Sequence, residues 1–133
     1  MTKKLNKLIE KATKAYKNAY APYSKFNVGA AILDEHDSIH VGCNVENAAY
    51  PSGSCAEEQA IGNMIVNGGK IIKGIVVIGK SDMLITPCGA CRQRIREFCD
   101  KDTLIHICDV DKGYLKSFNL KELLAYSFGP DNL

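Results

Sequence analysis

The run Ile71-Ile-Lys-Gly-Ile-Val-Val-Ile-Gly79 leaves the fold little freedom. Its apolar residues do not alternate, so a strand built from it is buried on both faces and sits inside a sheet covered on both sides. Its core, "GIVVIG", is far shorter than the roughly 20 apolar residues needed to cross a bilayer. The chain has 133 residues, enough for a core without staples, and residues 1–133 read as one domain.

The flanking segments supply the other elements. Leu5, Leu8, Ile9, Ala12, Ala15, Tyr16 and Ala19 repeat at helical spacing, so the first twenty residues read as an amphipathic helix. "NVGAAIL" and "SIHVGCNV" flank the polar turn "DEHD" and predict a β-hairpin. Cys55 to Asn67 is helical in pattern and stops at Gly68-Gly69. A second helix, "CGACRQRIREFC", follows Pro87; "TLIHICD" and "YLKSFNL" read as strands, and "KELLAYSF" as a short helix or turn before the tail "GPDNL". The expected fold is α/β: a three-layer α-β-α sandwich around a mixed five-stranded sheet. No linker, low-complexity tract or repeat interrupts it.

Two helices each follow a strand, and each begins at a cysteine motif: "SCAEE" at Ser54–Glu58 and "TPCGACR" at Thr86–Arg92. Helices crossing between neighbouring parallel strands start at the same sheet edge, so Cys55, Glu57, Cys88 and Cys91 can converge. Thiolates are favoured at helix N-termini by free backbone N–H groups and the positive end of the helix dipole. Three thiolates in one space suit Zn²⁺, one ion per chain, and leave its fourth position to water, the mark of a catalytic site. Coordination by His36, His40 or His106 would instead close the site. Glu57, two residues after Cys55, can take a proton from water beside the metal and hand it on; its bland alternative is a first-turn glutamate that suits the helix dipole.

Other uses of these cysteines fit less well. A redox CxxC leaves Cys55 and Glu57 unexplained, and a zinc ribbon needs a second CxxC. The N-terminus has lysines but no apolar h-region, so no secretion signal, no membrane partner and a cytoplasmic location are expected. That makes three disulfides improbable, and Cys43, Cys99 and Cys108 read as ordinary buried cysteines. A net charge of +2 gives no sign of a nucleic-acid partner.

"CAE" with "PCGACRQ" resembles the zinc-dependent cytidine deaminases, the small cysteine-ligand type. "FNVGAAI", "GCNVENAAYPSGSCAE" and "KELLAYSFGPDNL" extend the resemblance from the first helix to the tail. It implies hydrolytic deamination of cytidine and 2′-deoxycytidine to uridine and 2′-deoxyuridine with release of ammonia, as in pyrimidine salvage. Zinc-bound hydroxide would be the nucleophile and Glu57 the proton shuttle. By position, Phe26 would lie against the pyrimidine, Asn44 and Glu46 would bond the ribose hydroxyls, and the Ala56 N–H would hold the base carbonyl. It also implies a homotetramer in which Ala48, Tyr50 and Phe128 reach neighbouring sites. Asn44 and Glu46, two apart in an extended segment, face the same way.

One position departs from the family pattern. Glu58 stands where many members carry an arginine that donates to the thiolates, and Arg92, directly after Cys91, is expected to take that place, with Arg94 the other candidate. Two other functions share the motifs: deamination of a modified cytosine nucleoside such as blasticidin S, and a non-catalytic zinc-binding module.

Overall fold

The computed structural model describes residues 2–133. In chain order the elements are α1 (Lys3–Lys17), β1 (Gly29–Asp34), β2 (Ile39–Cys43), α2 (Ala56–Val66), β3 (Ile72–Gly79), α3 (Gly89–Phe98), β4 (Cys99–Asp109), β5 (Gly113–Phe118) and α4 (Leu120–Leu123). They form one five-stranded sheet in the order β2-β1-β3-β4-β5. β3 and β4 are parallel and the other pairs antiparallel, so β2, β3 and β4 run one way and β1 and β5 the other.

The apolar run behaves as its composition demands. Ile75 and Val77 of β3 face one layer with Ala30, Ile32, Ala60, Met64, Ile95, Ile105 and Ile107, against α2 and α3. Val76 and Ile78 face the other with Leu8, Ala12, Ala31 and Cys108, against α1. The strand is central and both its faces are dry; each such side chain contributes about 2 kcal/mol by leaving water. The result is the three-layer α/β/α arrangement around a mixed five-stranded sheet.

Local chemistry accounts for the element ends. Thr2 caps α1 by accepting the Leu5 N–H at 3.1 Å. The helix stops at Lys17, short of the twentieth residue, because Tyr20 is drawn to the end of β2: its N–H donates to Asn44 O at 2.9 Å, and the Glu46 N–H donates to Tyr20 O at 2.8 Å. Asp34 builds the β1–β2 turn, accepting the His36 and Ser38 N–H groups at 2.8 and 2.9 Å through one oxygen and meeting His40 Nε2 at 2.7 Å through the other. Burial pushes the Asp34 carboxyl up, but these bonds outweigh it and hold the group below its ordinary value. Gly68, at φ +95°, terminates α2 in the left-handed conformation that glycine adopts freely.

Two further expectations need correction, the start of β4 and the burial of the remaining cysteines. β4 starts at Cys99, directly after α3, rather than at Thr103, since Cys99 already pairs with Ile72 and a register shift follows. The C-terminal segment forms the expected short helix, the single turn Leu120–Leu123, with Asn119 and Glu122 completing its capping box. Cys108 is buried, whereas Cys43 and Cys99 are only half-buried.

The two motif helices do start at one sheet edge, but not because their strands are neighbours. β1 lies between β2 and β3. α2 leaves the C-terminal end of β2 and α3 that of β3, and these ends lie together because β1 is antiparallel to both. Gly42 seats α2 on β2: a Cβ there would lie 2.5 Å from the Ala60 nitrogen and closer still to the Ala56 carbonyl oxygen. Gly42→Ala is therefore expected to push the first turn of α2 off the sheet and lower stability by about 3 kcal/mol, the upper range for overpacking against rigid neighbours. Urea denaturation measures this, and an unchanged midpoint would show that the helix yields freely.

Candidate active site

The sheet edge carries a cleft of about 600 Å³. Cys55 is the N-cap of α2 and Cys88 the N-cap of α3, and neither side chain caps its own helix. Both sulfurs therefore remain available. Cys91 follows one turn into α3, on the same side as Cys88. The three Sγ atoms lie within 4.8 Å of one another.

That arrangement fits zinc. A tetrahedral ion with Zn–S bonds of about 2.3 Å sets its sulfurs about 3.8 Å apart, so small rotations of the side chains would close the site. The donor set is all thiol, the softest type and well matched to this metal. Among the described residues this is the one His/Cys/Asp/Glu cluster with metal-binding spacing; His36, His40 and His106 are not part of it. His40 is paired with Asp34, and His106 Nδ1 with Ser117 Oγ at 2.6 Å.

Electrostatics differ among the three thiols. Burial raises the Cys55 thiol, and burial followed by the charge of Glu57 drives Cys91 further the same way. For Cys88 burial also pushes up, but the Cys91 and Ala90 backbone N–H groups prevail and hold the thiol low. A cation bound among them would favour all three thiolates.

Glu57, in the first turn of α2, is 4% exposed. Burial raises its carboxyl, with its own N–H, Cys91 and Arg94 opposing. A carboxyl shifted upward holds a proton more readily than an exposed one, which suits a group that must both accept and donate.

The cleft is also lined by the loop after α1 and the segment after β2. Glu46 Oε1 accepts the Tyr23 and Ser24 N–H groups, each at 3.1 Å, and Oε2 accepts the Ser24 hydroxyl. The Ser24 bonds come first among the causes that hold this carboxyl below its ordinary value. Asn44 ties the strands together: Oδ1 accepts the Val28 N–H and Nδ2 donates to Phe26 O, both at 2.8 Å. Each end of its amide keeps one further hydrogen-bonding position.

Phe26, Asn44, Glu46, Tyr50, Cys55, Ala56, Glu57, Cys88 and Cys91 all line this one cleft. Tyr50 lines the cleft of its own chain, where its ring lies 6.3 Å from that of Tyr23. Ala48 and Phe128 lie outside the lining and are exposed. Tyr23, Ser24, Val28, Ile85 and Thr86 also line it and were not singled out in the sequence. Ser24 carried a faint signal: a hydroxyl in the loop two residues before Phe26.

Arg92 does not reach a thiolate. Its Nε donates to Pro87 O at 2.7 Å, Nη1 to Leu123 O at 2.6 Å and Nη2 to Thr86 Oγ1 at 2.7 Å. One residue on from Cys91 is about 100° round the helix, which turns this side chain away. Arg94, three residues on, shares the face of Cys91 and donates to its Sγ at 3.5 Å.

Comparison with known proteins agrees with this geometry. Residues 2–107 match the family model described as the cytidine and deoxycytidylate deaminase zinc-binding region. The cytidine deaminase of Sporosarcina psychrophila is 39% identical over 97% of this chain and 94% of its own. The probable cytidine deaminase of Dictyostelium discoideum is 44% identical over 97% and 86%. The crystal structure of cytidine deaminase from Burkholderia pseudomallei superposes with a TM-score of 0.87 at 35% identity, covering 96% of this chain and all (100%) of that one.

Proposed function

This chain belongs to the cytidine and deoxycytidylate deaminase family, and from that premise we propose that it hydrolyses cytidine and 2′-deoxycytidine to uridine, 2′-deoxyuridine and ammonia, as a step of pyrimidine salvage. The observation that carries this reading is Glu57, a buried carboxyl beside three converging thiols in a cleft that Asn44 and Glu46 also line.

Cys55, Cys88 and Cys91 would hold one zinc, which supplies the Lewis acidity that makes water a nucleophile at neutral pH. Glu57 accepts the proton of the attacking water and delivers it to N3 of the pyrimidine. It then takes the second proton from the hydroxyl added at C4 and gives it to the exocyclic nitrogen, which leaves as ammonia as the C4–N bond breaks and the C4 carbonyl forms. Water supplies the oxygen of the product and both protons, so no organic cofactor enters. The Ala56 N–H, at the start of α2, holds the base carbonyl oxygen, and Phe26 packs against the ring. Asn44 and Glu46 bind sugar hydroxyls with the hydrogen-bonding positions left free by their own backbone contacts.

Residues 1–133 act as one catalytic domain, placed in the cytoplasm, where free thiols stay reduced. No described helix is long and apolar enough to cross a membrane. Four copies assemble so that Ala48, Tyr50 and Phe128 contribute to neighbouring sites; Tyr50 and Phe128 are 78% and 57% exposed, and large exposed aromatics of this kind suit an interface. Sedimentation is expected to give about four times the chain mass of 14.6 kDa.

Ammonia release from cytidine and deoxycytidine tests the reaction, with blasticidin S as the competing substrate. Release from blasticidin S alone, or none from a zinc-loaded protein, overturns the reading. Ser24→Ala is expected to raise KM for cytidine about tenfold with kcat nearly unchanged, because Glu46 loses a donor that orients it for the sugar. An equal loss in kcat would place Ser24 nearer the chemistry.

A further inference from the structure

We propose that Arg94, held by Glu58, is the cationic partner of the metal centre: it donates to the Cys91 sulfur and offsets the excess negative charge of the three thiolates. The inference rests on the zinc reading above and assigns a role to two residues that the reaction itself does not use.

Three thiolates on a doubly charged cation leave one net negative charge, which weakens the ion as a Lewis acid. Glu58 adds to the problem. It lies three residues after Cys55 on α2, on the same helix face, and brings a second anionic group alongside. Arg94 resolves both. Its Nη1 donates to Cys91 Sγ at 3.5 Å, while its Nη2 lies 3.6 Å from Glu58 Oε2. The planar fork of a guanidinium can serve a sulfur with one nitrogen and a carboxylate with the other, which an ammonium does less well.

The two side chains are 38% and 41% exposed, so their ion pair adds little stability of its own. Its consequence is positional: Glu58 from α2 fixes a guanidinium of α3 over a ligand sulfur, joining the two helices that carry the ligands. A donor to a ligand sulfur draws electron density from the metal bond and leaves the ion more electrophilic. Arg94 is thus a positioning and charge-tuning residue, distinct from Glu57, which meets the substrate.

The test compares wild type, Arg94→Ala, Arg94→Lys and the double variant Arg94→Ala/Glu58→Gln. Each is loaded with zinc for affinity and kinetics, and with cobalt(II) so that the sulfur-to-metal charge-transfer band can be read. Arg94→Ala is expected to move that band to longer wavelength, as the sulfur becomes a stronger donor. The kcat should fall by about 10- to 100-fold with KM within threefold, as the ion loses electrophilicity, and zinc affinity should shift by more than about twofold as the ligand sulfur changes its basicity. Arg94→Lys should lie between the two, and adding Glu58→Gln should recover part of the loss by removing an unbalanced anion. An unmoved band with zinc affinity within twofold of wild type overturns the proposal. Should Arg94→Ala fail to fold by circular dichroism, Arg94→Lys decides by the same band. Wild-type protein that takes up zinc but releases no ammonia from either nucleoside would overturn the deaminase reading instead, while band and affinity still decide the role of Arg94.

Discussion

Glu57→Gln is expected to lower kcat by about 10⁴-fold and to leave one zinc per chain. Positioned acid–base groups contribute up to about 10⁴ in rate, and in the proposed reaction one carboxyl serves every proton transfer, from water to N3 and then to the leaving nitrogen. Glutamine keeps the size and can still donate a hydrogen bond, but it cannot accept and return a proton. The side chain is almost fully buried, so no bulk water replaces it. None of the three sulfurs is touched, and zinc content therefore stays at the wild-type value. KM should change little, since the proposed sugar contacts, Asn44 and Glu46 with Ser24 bonded to it, come from other elements. Single-turnover kinetics with metal analysis checks this. Retention of more than about a tenth of the wild-type rate would mean that another group moves the proton.

Cys91→Ala is expected to lose turnover and to give up its zinc to a chelator while the fold survives. Four-ligand zinc sites reach apparent binding energies of about 10–16 kcal/mol. A thiolate ligand accounts for about a quarter of that, so its loss weakens affinity by at least about 100-fold. Two sulfurs remain, too few to hold the ion against a chelator. The fold persists because the layers are built by two apolar clusters on either side of the sheet, and Cys91 belongs to neither. Metal linked to the native state raises its stability by mass action. The melting temperature of wild type should therefore drop when a chelator is added, and that of Cys91→Ala should not. A variant that still gained stability from zinc would show that a fourth protein group binds the metal.

Much of this protein is legible along the chain because its signals are local. An unbroken apolar run requires cover on both faces, and the Ile75/Val77 and Val76/Ile78 alternation of β3 shows that it receives it. Cys88 and Cys91 are one helical turn apart whatever the rest of the chain does, and Cys55 and Glu57 share the start of one helix. Spacing therefore marks the three cysteines and the carboxyl as candidates within two local motifs, without joining the motifs.

Tertiary structure decided what depends on distance between elements. The place of β1 between β2 and β3 brings the two motif helices to one edge, and strand order is not written in any single segment. Glu46 is oriented by Ser24, twenty-two residues away in sequence. The choice between Arg92 and Arg94 is the clearest instance. Both follow Cys91 closely, and adjacency favoured the first. The helix carries Arg92 round to Pro87, Thr86 and Leu123, while Arg94 comes back to the face of the sulfur and meets Glu58 from the other helix. Residue types and their spacing determine which chemistry is possible; the packing of α2 against α3 determines which charge stands beside the metal, because electrostatic and hydrogen-bonding energies fall off within a few ångströms and only the folded chain sets those separations.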